Sequence, residues 1–225
     1  MDISKRKVLI FSLAGLLSSL FLHERNLYSD AAFPISVRVT LLRFFIIAFP
    51  LLLGFLIAKQ KKLNLPKIIF LILWTIFIPY TIYSISEIRH VAELCRLPEN
   101  IFYTEMCLER AWSLIPTFIY AFGGVMIFVF SVVQVASSLY SKSIKKQLCI
   151  LALCAYASFA SVFGLYTRFN VWDGILHPVT AVKLAVDSFS LPWFISNFLI
   201  FTLFFMGIVF VVNKILRHAK EYIAE

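Results

Sequence analysis

Glu87, His90, Arg168, Asn170 and Asp173 are the residues of this chain whose types and spacing suit chemistry. Glu87 and His90 are three apart, so a carboxylate and an imidazole share one helical face. Some helical-bundle metal sites use that spacing. Asp173 and His177 are four apart and share a face if their segment is helical. Glu87, His90, Asp173 and His177 together can hold a divalent metal ion such as Zn²⁺ and leave a position for water. A second chemistry needs no metal. Glu87, His90 and Asp173 can act as acid and base, with Arg168 holding an anionic group such as a lipid phosphate. Asn170, Trp172, Tyr83 and Arg43 offer hydrogen bonds and packing surface to a substrate. Glu-x-x-His is common by chance, and it gains weight only where the two segments meet.

The elements that must position these groups are membrane helices. The chain has 225 residues, of which 61% are hydrophobic and 15% charged. Soluble domains have roughly 45–50% apolar and about 25% charged residues. The 24 phenylalanines are too many for one soluble core of this size. A polytopic bundle of six helices in a single domain is expected. The apolar stretches are continuous and do not alternate, which excludes a β-barrel. The six runs are 8–22, 35–58, 66–86, 113–139, 148–167 and 193–213. The first imitates a signal peptide, with Lys5, Arg6 and Lys7 ahead of it, but no small-x-small cleavage site follows. It is read as a retained helix.

Basic residues set the expected topology. The N-terminal tail, 59–67, 141–146 and the C-terminal tail hold 13 of the 21 Lys and Arg but only 3 of the 12 acids. Both termini are therefore expected in the cytoplasm. The net charge of +9 becomes a fringe for anionic lipid, the expected partner, rather than for nucleic acid. Trp112, Trp172 and Trp193 fall at outer boundaries, as an aromatic belt would. Cys95 and Cys107 lie in an outer loop, where a disulfide is allowed. Cys149 and Cys154 are five apart on one helix and point about 140° away from each other. They are read as apolar filler.

The third run has the clearest internal logic. Pro66 suits a first helical turn. Pro79 removes a backbone hydrogen bond and frees the Thr75 carbonyl. Tyr80, Tyr83, Ser84 and Glu87 then follow at i, i+3, i+4 and i+7, a polar stripe expected to face protein or a water-filled cavity. In the second run, Arg43 lies sixteen residues from Lys59, about 24 Å along a helix. At that depth it is expected to pair with Glu24, Asp30, Glu87 or Asp173. After Pro178, Val179, Val182, Val186 and Phe189 make an apolar stripe and Thr180, Lys183, Asp187 and Ser190 a polar one. A short interfacial helix is expected there.

These motifs resemble a bacterial family of integral membrane proteins defined only as a domain of unknown function. Its members have Trp followed by Phe-x-Pro, then an acid and a His, matched here by Trp74, Phe77, Pro79, Glu87 and His90. The family usually has Asp where Glu87 stands, and its Asn-Ala-Pro is Tyr80-Thr81-Ile82 here. A second signature is kept at Gly164, Arg168, Asn170, Trp172 and Asp173, while Leu165, Phe169 and Val171 depart from it. The resemblance covers about a third of the chain. It implies a multi-pass bacterial membrane protein, and brings no activity, substrate or cofactor; the bacterial cytoplasmic (inner) membrane is the expected location.

Three classes of function stay open. One is a membrane enzyme acting on a lipid-linked or exported substrate at the outer face. Another is a structural or assembly protein whose polar cluster braces the bundle. The third is a small-solute or ion-coupled carrier, which would bind near the midplane. The charges here gather at one face instead.

Overall fold

A computed structural model describes residues 33–86, 114–167, 174 and 176–224. All described elements are helical. We label them α1 (Phe33–Lys59), α2 (Leu65–Tyr83, continued by a 3₁₀ turn over Ser84–Ser86), α3 (Leu114–Leu139), α4 (Ser143–Thr167), α5 (Pro178–Phe189) and α6 (Pro192–Ala224). Five are long and apolar enough to cross a membrane, over Leu41–Lys59, Leu65–Tyr83, Thr117–Leu139, Ser143–Thr167 and Pro192–Ile215. They match five of the six expected runs; the run 8–22 lies outside the described residues. The sixth described helix, α5, is the short amphipathic one expected after Pro178. α4 starts five residues before its apolar run and α6 continues eleven beyond its own. Lys, Gln and Arg are good helix formers, so a helix need not stop where the apolar run does.

The start of α2 is set by its own residues. Asn64 precedes it, and its Oδ1 accepts a hydrogen bond from the Lys67 backbone N–H at 3.0 Å. This satisfies one of the donors that every helix N-terminus leaves open. Pro66 sits in the first turn, where no donor is needed.

By their packing the described helices fall into two compact units. One takes in Leu53–Pro79 and the chain from Val129 onward. There α2 and α3 run antiparallel. Lys67 Nζ donates to the Ser138 carbonyl at 3.2 Å, and Trp74 Nε1 donates to Ser131 Oγ. Seven residues forward on α2 thus match seven back on α3. Gly54 of α1 meets the same Ser131, since a Cβ there would stand 3.1 Å from its Oγ. Tyr156 of α4 donates its hydroxyl to the Thr75 carbonyl at 2.9 Å. Ser138 lies by Lys67, five residues before α4 begins, and Tyr156 lies by Thr75, eight residues further along α2. α4 therefore runs parallel to α2.

α6 returns against α4. Asn197, in its second turn, donates to the hydroxyl of Tyr166 near the end of α4 at 2.9 Å. Phe159 forms the hub between them, with Phe189 of α5 at 5.5 Å and Phe194 and Phe198 of α6 at 5.8 and 6.3 Å, ring centre to ring centre. The angled rings match the edge-to-face preference of aromatic pairs.

The other unit includes Tyr80–Phe128 and the chain up to Leu52. Its tightest contact joins the end of α2 to α3. Ser84 Oγ donates to the Thr81 carbonyl at 2.7 Å and lies 3.4 Å from the Ala121 carbonyl. A Cβ on Gly124 would collide with Ser84 Oγ and the Thr81 carbonyl, so only glycine permits this approach.

Candidate functional site

Three of the expected site residues belong to the described structure. Tyr83 closes α2 and is half-buried. Arg43 is half-buried in α1, with its Nη1 shut off from the surface. His177 is exposed, directly ahead of α5. Glu87, His90, Arg168, Asn170, Trp172 and Asp173 lie outside the described residues, and so do Cys95 and Cys107. Cys149 and Cys154 are free thiols, Cys154 fully buried.

Two local geometries alter the expected picture. The backbone of His177 has φ −130° and ψ 60°, which is not helical. Pro178 explains this, because a proline disfavours the helical conformation in the residue before it. His177 thus stands outside helical geometry, between helical Gly174 and Leu176 before it and α5 after it. The second change concerns the stripe beyond Pro79. Ser84 is buried against α3, so at this position the stripe faces protein, one of its two expected surroundings. From Ser84 the helix also tightens into a 3₁₀ turn, with 3.0 rather than 3.6 residues per turn. The phase that aligned Tyr80, Tyr83, Ser84 and Glu87 on an α-helix is therefore not kept through Ser86.

Pro79 does what its position dictates. The Thr75 carbonyl loses its partner within α2 and takes the Tyr156 hydroxyl instead. In an apolar surrounding such a freed carbonyl must find a donor from a neighbouring helix. The threonine's own hydroxyl bonds back to the Leu71 carbonyl at 2.8 Å.

Several polar groups that the sequence reading passed over are built into the packing. Lys67 is only 3% exposed. Its ammonium donates to the Gln60 carbonyl at 3.0 Å, just past α1, and to Ser138 in the last turn of α3. One cation thus caps the negative ends of two helices. Asn197, with its bond to Tyr166, stands beside Trp193 at the end of α4, just ahead of Arg168. A polar residue inside an apolar run was the available signal for Asn197. Among the described residues the buried hydroxyls of Ser158 and Ser161 find no hydrogen-bond partner. Thr167, Ser188, Ser196 and Thr202 instead bond back to a carbonyl four residues earlier. Among the described residues no three His, Cys, Asp or Glu side chains gather in a way that could hold a metal ion.

Residues 42–212 match the model of a protein family described as "Protein of unknown function (DUF1361)". Among curated proteins and among solved structures, nothing matches the chain.

Proposed function

The chain belongs to the DUF1361 family and is a multi-pass membrane protein, and from that premise we propose that it carries a polar site at the outer membrane face. In this reading Glu87, His90 and Asp173 are the reacting or metal-holding groups. Arg168 and Asn170 hold an anionic, lipid-linked or exported substrate. The membrane is the bacterial cytoplasmic one, with both chain ends on the cytoplasmic side. The parallel course of α2 and α4 carries the argument. Two membrane helices that run the same way release the chain on the same side. Glu87 and His90 follow α2 in the sequence, and Arg168 to Asp173 follow α4, which supports the reading that both segments lie at one face.

The test has two parts. In the first, Asp173→Asn and His90→Ala are purified and their metal content is measured against the parent. The expected result is normal yield and monodispersity with the bound ion lost, since a carboxamide keeps the shape of Asp173 but neither its charge nor its proton. In the second, cysteines replace Glu87 and Asp173 and are treated with a short bifunctional thiol reagent, with modified peptides identified by mass spectrometry. Failure of those two positions to crosslink removes the single-site reading.

A bracing role is the second reading. It is favoured by the way Tyr156, Ser131, Ser84 and Lys67 join one helix to another. Under it, Asp173→Asn lowers thermal stability and changes no ion content.

A further inference from the structure

α5 divides its surface among three sides, and one of them is apolar and exposed among the described residues. Ala181, Leu184 and Ala185 are half-covered and Ser188 is buried. At i, i+3, i+4 and i+7 they form the side packed on the rest of the chain. Thr180, Lys183, Asp187 and Ser190 form an exposed polar side. Val179, Val182 and Val186 form a third side, 82%, 64% and 64% exposed, and Phe189 joins it at one end. The apolar and polar sides are centred about 100° apart around the helix axis.

We propose that the Val179–Val182–Val186 stripe is a membrane-docking surface, and that α5 lies along the bilayer interface with this stripe in the acyl region and Lys183 and Asp187 in water. Four observations point to lipid as the occupant. α5 has twelve residues, about 18 Å, too short to cross a core ~30 Å thick. Only Ser190 and Leu191 separate it from α6, which is long and apolar enough to span. The start of α6, a helix of spanning length, exposes apolar side chains of its own at Trp193, Ile195 and Leu199. Phe189 stacks on Phe159 and fixes the end of α5 nearest α6 against the bundle. The charges add a limit on the lipid. Lys183 and Asp187 are one turn apart and of opposite sign, so docking draws on apolar burial and not on anionic headgroups. This surface is independent of the site proposed above.

The experiment uses the full chain in phosphatidylcholine nanodiscs. Single cysteines replace Val182, Lys183, Val186 or Asp187. Each variant is exposed to a water-soluble maleimide and read peptide by peptide by mass spectrometry, so the native cysteines do not interfere. Labelling at Val182 and Val186 is expected to be at least about tenfold slower than at Lys183 and Asp187, because a thiol held in lipid does not ionise. Raising the salt concentration is expected to leave the ratio unchanged. Equal labelling at all four positions would put the stripe in water and overturn the proposal. Disulfide-linked dimers of the Val182 or Val186 variants under mild oxidation would instead assign the surface to a second copy of the chain. The unsubstituted protein supplies an independent reading through a photoactivatable phosphatidylcholine. Crosslinks are expected on the peptide holding Val182 and Val186, and crosslinks confined to α6 would defeat the proposal.

Discussion

At the scale of single residues, the contact between Tyr156 and the Thr75 carbonyl is the most informative. Pro79 creates an acceptor that α2 cannot satisfy, and one hydroxyl on α4 satisfies it. Tyr156→Phe is expected to lower unfolding stability by about 1–2 kcal/mol, the usual range for a polar group left without a partner away from water. Pro79→Ala restores a backbone donor to Thr75, so in that background the same substitution should cost much less. A double-mutant cycle followed by thermal unfolding in detergent measures the coupling; additive effects would refute the pairing. Lys67→Met removes a charged donor from two carbonyls at once and should cost about 2 kcal/mol or more. Half of this chemistry was legible in the sequence. Pro79 inside an apolar run signals a free Thr75 carbonyl by local rules alone. Its partner is 81 residues away, and no local rule says which face of α4 Tyr156 occupies.

At the scale of elements, small residues govern how closely the helices approach. Gly124 sits against Ser84 and the Thr81 carbonyl, while Gly207 has nothing within 4 Å of where a Cβ would be. Gly124→Leu should therefore abolish stable expression. Gly207→Ala should be neutral or mildly stabilising, by up to ~1 kcal/mol from helix propensity. Fluorescence-detected size exclusion followed over a temperature ramp compares the two, and equal behaviour would show that the α2–α3 approach is not limiting. The sequence revealed two of the three sides of α5, because valines on one and Lys183 with Asp187 on another contrast sharply. The third side, of Ala181, Leu184, Ala185 and Ser188, has no such contrast and emerged only from its packing. The 3₁₀ turn over Ser84–Ser86 was likewise hidden. The sequence pattern there fits an α-helix equally well.

At the scale of the whole molecule, the membrane class follows from long apolar runs that no soluble core could absorb, and five of these runs are helices of spanning length. Orientation is a separate matter, resting on the basic residues at 59–67 and 141–146. Reporter fusions after Lys61 and after Glu99 are expected to report opposite sides of the membrane, with Lys61 cytoplasmic. Both on one side would overturn the map. The candidate site was the least legible part. Glu87 and Asp173 are 86 positions apart in the chain, and neither helical periodicity nor charge pattern says that two segments meet.

The ammonium of Lys67 has a consequence for biosynthesis. One of its two acceptors lies 71 residues further along the chain. At the ~5–20 residues per second of protein synthesis, that acceptor is made roughly 4–14 s after the lysine. During that interval the charge lacks half of its final coordination and gains from staying at the aqueous edge. The bond from Lys67 to Ser138 therefore forms only after the last turn of α3 has been made, which sets this contact late in the order of assembly.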